Sequence, residues 1–305
     1  PFFLYFATTI PHIPQDDHRT WNADRKATPN GWLENAPDVQ PDSDSIARRA
    51  REHNVEGRET MIWLDDAIGA LLTKLDATEE LDNTIIFFFN DHGQSSKGSL
   101  YQGGAHNPSI VWRKERWPVG QETPALVSNI DFTPTILDLA GVPSPDHIDG
   151  VSFLPILENQ TTAVRDSLFF EIGYTRAVLK DDYKYLAIRY PDAIKSMTLE
   201  QRQERLDHMN NNLRERGRQL NNLDPMAPFG HMTPIPGGQD AEQGAINAHP
   251  DYNDADQLYQ LETDPHEQAN IVDQKNMSTK LSKLQTLMQT YLDDLGDSFP
   301  LGDNQ

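Results

Sequence analysis

Two stretches of this chain are apolar residue after residue, and they narrow the folds open to it more than any other feature. Phe2-Phe3-Leu4-Tyr5-Phe6-Ala7 and Thr84-Ile85-Ile86-Phe87-Phe88-Phe89 lack the polar–apolar alternation of a half-exposed strand. Each therefore reads as a buried strand with both faces covered. Between them, residues 44–75 have helical periodicity, with Ile68, Leu71, Leu72 and Leu75 on one face. Strand, helix, strand is the repeating unit of a parallel sheet. The first run has no basic stretch ahead of it and no small-residue cleavage site, so it is a poor signal peptide. A central strand rarely opens a domain, and the expectation is that further sequence lies upstream.

Beyond residue 90 the elements shorten. Residues 108–112 read as a strand, and 131–141 as a helix with Asp131 at its N-cap and Gly141 just past its end. Residues 168–171, 177–180, 183–189 and 257–261 are short strands separated by turn residues. A polar helix over 198–220 and a Gly/Pro-rich loop over 222–256 interrupt them, and 277–295 form an amphipathic helix. The expected fold class is α/β. A mixed sheet flanked by helices fills residues 1–162, and a smaller antiparallel-sheet subdomain fills 163–305, with an insert at about 192–256 and a terminal helix.

The balance of charge excludes some partners. With 26 basic against 47 acidic residues, the net charge is −21, a field that repels nucleic acid. An anionic substrate would need its own local cluster of positive groups. There is no cysteine, which removes disulfides and thiolate metal sites. No apolar run approaches the roughly 20 residues that span a bilayer.

Chemistry concentrates after the second apolar run. Asn90-Asp91-His92-Gly93 stands at the carboxyl end of the expected strand, where α/β sheets gather their ligands. A carboxylate beside an imidazole can ligate a divalent ion; the alternative is a polar turn capped by Asp91. Lys97, on a glycine-flanked loop, either reaches a tetrahedral anion or is simply solvated. His12, held between Pro11 and Pro14 past the first strand, is either a general acid titrating near neutrality or a packing residue. His231 in the insert is either a substrate contact or part of a surface loop.

Taken in order, these pieces resemble the sulfatase family of the alkaline-phosphatase-like superfamily. The resemblance runs through Pro11-His12-Ile13-Pro14, the helix ending Asp65-Asp66-Ala67-Ile68-Gly69-Ala70-Leu71-Leu72, and Asp91-His92-Gly93. It continues through Lys97-Gly98, Tyr101-Gln102-Gly103-Gly104, Pro108 and the 127–141 helix. It ends in Arg176-Ala177-Val178, Tyr183-Lys184, Leu258-Tyr259-Gln260-Leu261 and Asp264-Pro265-His266-Glu267-Gln268. Most of the chain is touched, except about 192–256. The resemblance implies hydrolysis of a sulfate ester, carried by a small molecule or a carbohydrate, in a periplasmic or secreted protein. Asp91 and His92 would hold a divalent cation, calcium in most members. Lys97 would hold a sulfate oxygen, His12 would protonate the departing alcohol, and His106 stands where many members carry an arginine.

One departure is large. The family's formylglycine nucleophile arises from Cys or Ser in a Cys/Ser-x-Pro/Ala-x-Arg stretch well upstream of this region. Ser45-Ile46-Ala47-Arg48-Arg49 fits that pattern loosely but follows His12 and opens the expected helix. Asp16-Asp17 and Asp65-Asp66 are not in the context of the family's upstream metal-binding aspartates. The expectation is that these residues are not competent alone, and that an upstream segment or a companion chain supplies the nucleophile. Two other functions fit the same motifs: a phosphonate or phosphate diesterase of the superfamily, and an inactive sulfatase-like module that binds an anionic sugar.

Overall fold

The computed structural model describes residues 1–11, 24–28, 30–36, 38–117, 119–189, 192–217, 225 and 239–302. The chain divides into two compact units, Pro1–Ile86 with Trp112–Arg116, and Phe87–Val111 with Trp117–Gln305.

In the first unit a small antiparallel pair, β1 (Ala27–Thr28) and β2 (Gly31–Trp32), precedes two helices, α1 (Ser43–Glu52) and α2 (Glu59–Ala77). The sequence pattern predicts one continuous helix over 44–75, but the chain breaks between them. Asn54 and Gly57 sit at φ of 57° and 84°, backbone that Asn and Gly adopt at low cost. Asp42 caps α1 by accepting the Ser45 N–H at 2.7 Å. Ile46 and Ala50 of α1, and Leu64 and Ala67 of α2, are buried, and the Arg49 guanidinium grips both carboxylate oxygens of Asp66, one at 2.9 Å. Ser45 thus serves the first turn of a helix.

The opening run is a correction to the sequence reading. Residues 1–9 form no strand, and Phe2, Phe3, Leu4, Tyr5 and Phe6 are exposed, Phe3 by 77 %. An all-apolar strand is stable only between neighbours that cover its edges and faces, and among the described residues nothing pairs with this one. The second run is shorter than expected: β3 (Ile86–Phe89) pairs with β4 (Ser109–Trp112) and is only half-buried. Phe87 and Phe89 pack on Phe132, edge-on at 5.6 Å and stacked at 4.7 Å.

In the second unit, α3 (Gln102–Ala105), α4 (Phe132–Leu139) and α5 (Leu154–Leu157) lead into four strands. β5 (Ser167–Ile172), β6 (Thr175–Lys180), β7 (Tyr183–Ile188) and β8 (Asp256–Gln260) form an antiparallel sheet in that order. The alternation of a strand sends successive side chains to opposite faces, and both faces are buried here. Val178, Tyr185, Ala187 and Leu258 pack against Leu284, Met288 and Leu292 of α9 (Ser278–Leu295). Ala177, Leu186, Ile188 and Tyr259 pack on Leu100 and Tyr101, so one face of this sheet is the floor beneath the segment that carries the candidate site.

The connecting helices are α6 (Asp192–Lys195), α7 (Leu199–Glu215) and α8 (Gln239–Ala248). α7 begins with a reciprocal cap: Gln201 N–H donates to Thr198 Oγ1 at 3.3 Å and Thr198 N–H to Gln201 Oε1 at 2.8 Å. α8 lies inside the stretch expected to be loop, whose glycines and prolines concentrate before residue 239. Asp131, expected as an N-cap, stands at that position but its side chain makes no cap bond to α4; it is fully buried and bonds elsewhere. It accepts N–H groups from Ser128 and Val151 at 2.7 and 2.8 Å and pairs with Arg165, tying α4 to the segment that enters β5.

Candidate active site

The segment from Asn90 to Asn107 leaves β3 and returns to β4 as two interlocked turns. Asn107 closes its base, accepting the Asn90 N–H at 2.9 Å and donating from its own amide to the Asn90 carbonyl. Further out, Gly93 N–H donates to Gly104 O at 2.8 Å and Ser95 N–H to Gly103 O at 2.9 Å. This approach is too close for side chains: a Cβ on Gly93 would lie 2.2 Å from Gly103 O.

A buried polar network fixes the segment from beneath. Tyr101 is buried, donates to Gln257 Oε1 at 2.6 Å, and stacks on the His249 ring at 3.6 Å between centroids. Tyr259 donates to the same Gln257 oxygen at 2.9 Å. The Gln102 N–H donates to the Glu267 carboxylate, which pairs with Lys184 at 2.8 Å, both side chains fully buried. Burial pulls the Lys184 ammonium below its ordinary pKa, and the Glu267 carboxylate works against that fall. Removing either partner would leave an uncompensated buried charge.

His249 links this network to the outer turn. Its Nδ1 lies 3.3 Å from the Glu267 carbonyl oxygen, which can only accept, so Nδ1 carries the proton. Nε2 is then the acceptor, and the Ser96 hydroxyl donates to it at 2.9 Å. Burial lowers the His249 pKa, which keeps the ring neutral, as this pattern requires.

The outer turn, His92 to Lys97, lines an open cleft of about 410 Å³, and Gly244 and Ala248 of α8 form another part of its wall. His92 and Lys97 therefore share one cleft. Asp91 is exposed and does not line it, although its Oδ1 is 3.6 Å from His92 Nε2. His106 is also exposed and outside the lining; its N–H, bonded to Gln102 O at 2.8 Å, ends α3. His12 and His231 lie outside the described residues. Reading the sequence residue by residue missed Ser96 and His249, partners 153 positions apart, and left Lys184 and Glu267 without roles. The last two carried a signal, standing in motif-like runs at Tyr183-Lys184 and Asp264-Pro265-His266-Glu267-Gln268.

As metal donors, Asp91 and His92 make a compatible but incomplete pair. His92 Nδ1 is engaged with Gly93 O at 2.6 Å, which leaves Nε2, the nitrogen facing Asp91, to bind an ion. Among the described residues no third His, Cys, Asp or Glu joins them. An oxygen and an imidazole nitrogen suit a divalent ion that accepts mixed donors better than one restricted to oxygen.

Two family models match the chain: sulfatase over residues 1–142, and N-sulphoglucosamine sulphohydrolase, C-terminal, over residues 90–219. The chain is similar to sulfatases along residues 1–219. The two matches overlap on the segment just described. Among relatives, the ulvan-active sulfatase of Formosa agariphila is 25% identical over 279 residues, 89% of this chain and 42% of its own length. The N-acetylglucosamine-6-O-sulfatase of Bacteroides thetaiotaomicron is 39% identical over 108 residues, 33% of this chain and 19% of that protein. This chain thus spans less than half of either relative.

Solved structures share its alkaline-phosphatase-like fold. One, a complex with its substrate D-glucosamine-2-N,6-O-disulfate, aligns at a TM-score of 0.55 and 20% identity, covering 88% of this chain and 45% of its own. The phosphonate monoester hydrolase of Silicibacter pomeroyi aligns at 0.50 and 17%, covering 90% and 47%.

Proposed function

We propose that this chain carries part of the active site of a sulfuric ester hydrolase acting on a carbohydrate sulfate. The observation that carries the reading is the shared cleft, where an ammonium (Lys97) and an imidazole (His92) line one open space. A cation on the wall of a recess is what a sulfate monoanion needs in a protein of net charge −21. Relatives named for ulvan and for N-acetylglucosamine 6-O-sulfate support a sugar as the alcohol. An extracellular sulfatase among the relatives supports a periplasmic or secreted location, and no described helix is long and apolar enough to cross a membrane.

Lys97 binds a sulfate oxygen and holds the sulfur in line for attack; fixed charge of this kind is most effective where negative charge shifts as the ester bond breaks. Asp91 and His92 would hold the divalent cation, which when bound would supply Lewis-acid polarisation of the sulfate. A formylglycine, the family's nucleophile, would supply the attacking hydroxyl from sequence other than these 305 residues. His12 gives its proton to the leaving alcohol oxygen. His106 and His231 contact the substrate outside the reacting centre.

Assay of the complete gene product on 4-nitrophenyl sulfate and 4-nitrophenyl phenylphosphonate, with and without a chelator, tests the reading. Turnover of the sulfate, lost on chelation, is expected. Preferential turnover of the phosphonate would move the protein to the phosphonate hydrolases of the same fold. Binding of sulfated sugars without turnover of either ester would leave an inactive binding module.

A further inference from the structure

α8 supplies the other wall of the cleft, and its composition there is unusual for a helix. Gly244 and Ala248 line the cleft and stand four residues apart, hence on one face of the helix. Ala245, next along the helix and turned about 100° from Gly244, is fully buried in the core with Tyr101. The end of the helix is pinned: His249 follows directly and reaches Ser96 and Glu267, while Gln268 donates to the Ala248 carbonyl at 3.1 Å. The wall is therefore fixed with respect to the turn that ends in Lys97.

Gly244 has no structural need to be glycine. A Cβ there would meet nothing within 4 Å, and its φ is not left-handed. Glycine inside a helix costs about 0.5–1 kcal/mol relative to alanine, and nothing in the packing offsets that cost. What the missing side chain provides is room. The facing wall offers the Gln94 amide, the Ser95 and Ser96 hydroxyls and the Lys97 ammonium. These groups suit a ring bearing several hydroxyls better than a bare apolar one.

We propose that the Gly244/Ala248 face of α8 is the specificity wall of this site, sized to admit the sugar ring whose sulfate Lys97 holds. The proposal rests on the sulfate-ester reading and adds the place and size of the alcohol subsite.

The test uses the complete gene product, its Gly244→Leu and Gly244→Ala variants, and two probes, D-glucosamine-2-N,6-O-disulfate and 4-nitrophenyl sulfate. A single methylene too many in a pocket discriminates by roughly 10–200-fold. Gly244→Leu should lower kcat/KM on the sugar at least about tenfold more than on the flat aryl ester, chiefly through KM. Gly244→Ala should fall between it and the wild type. Equal effects on both probes, or none on either, would overturn the proposal. Circular dichroism should show both variants at least as helical as the parent. If the wild type hydrolyses neither probe, the hydrolase reading fails, and calorimetric titration with the disulfate decides the wall separately. Weaker binding to Gly244→Leu supports it, and undiminished binding refutes it.

Discussion

The sheet β5–β8 and the opening segment are both written in aromatic and aliphatic residues, yet only the sheet forms. Each of the first three sheet strands has its partner close by in the chain. β5, β6 and β7 follow one another through two-residue turns, and β8 returns beside β7. Both faces then find cover, from α9 and from the Leu100–Tyr101 turn. Residues 1–9 have the same kind of side chains but no ladder among the described residues, and they stay exposed. An apolar run states that a strand could be buried, whereas neighbours decide whether it is.

That contrast can be broken most forcefully at the buried ion pair that joins the sheet to the site. Lys184→Met should cost about 3–5 kcal/mol in urea unfolding, because Glu267 would be left charged and unpaired. Adding Glu267→Gln should restore part of the loss; no loss from the single variant would mean the pair is not buried. Leu258→Ala, at a fully buried position of β8, should cost about 2–5 kcal/mol in the same measurement.

Smaller effects sharpen the picture at the site itself. Gly93→Ala forces a Cβ against Gly103 O, and about 1–3 kcal/mol of destabilisation is expected. Hydrogen exchange of the Gly93 and Ser95 amides should accelerate alongside it. For His249 the sign follows from the lowered folded pKa. The unfolded imidazole titrates near 6.5 and takes up the proton first. Stability is then full above that pH and is lost as pH falls through the folded value. His249→Gln should remove this acid slope, and a slope that persists would assign it to other groups. The smallest effect belongs to the opening segment. Leu4→Ser should change stability by less than about 0.5 kcal/mol, as exposed positions do; a loss of core size would show that the segment is covered after all.

Legibility in the sequence followed the same division. The four strands, α9 and the Gly141 end of α4 were readable within a residue or two, because alternation, turn residues and a left-handed glycine are local signals. The break between α1 and α2 was not, since no proline marks it and an isolated glycine such as Gly57 is tolerated within a helical pattern. At the site, Asp91, His92 and Lys97 stood out through their motif, and the structure brings His92 and Lys97 to one cleft. The Ser96–His249 bond was invisible, because no periodicity links positions so far apart. α8 was missed because the glycines and prolines before it made the whole insert read as loop.

The account turns on Lys97 holding the ester's anionic head in the cleft. The decisive measurement is kcat/KM of the complete gene product on 4-nitrophenyl sulfate, before and after Lys97→Ala, with folding checked by thermal melting. A fall of about 10²–10³-fold at unchanged Tm is predicted. A variant as active as its parent would contradict the account.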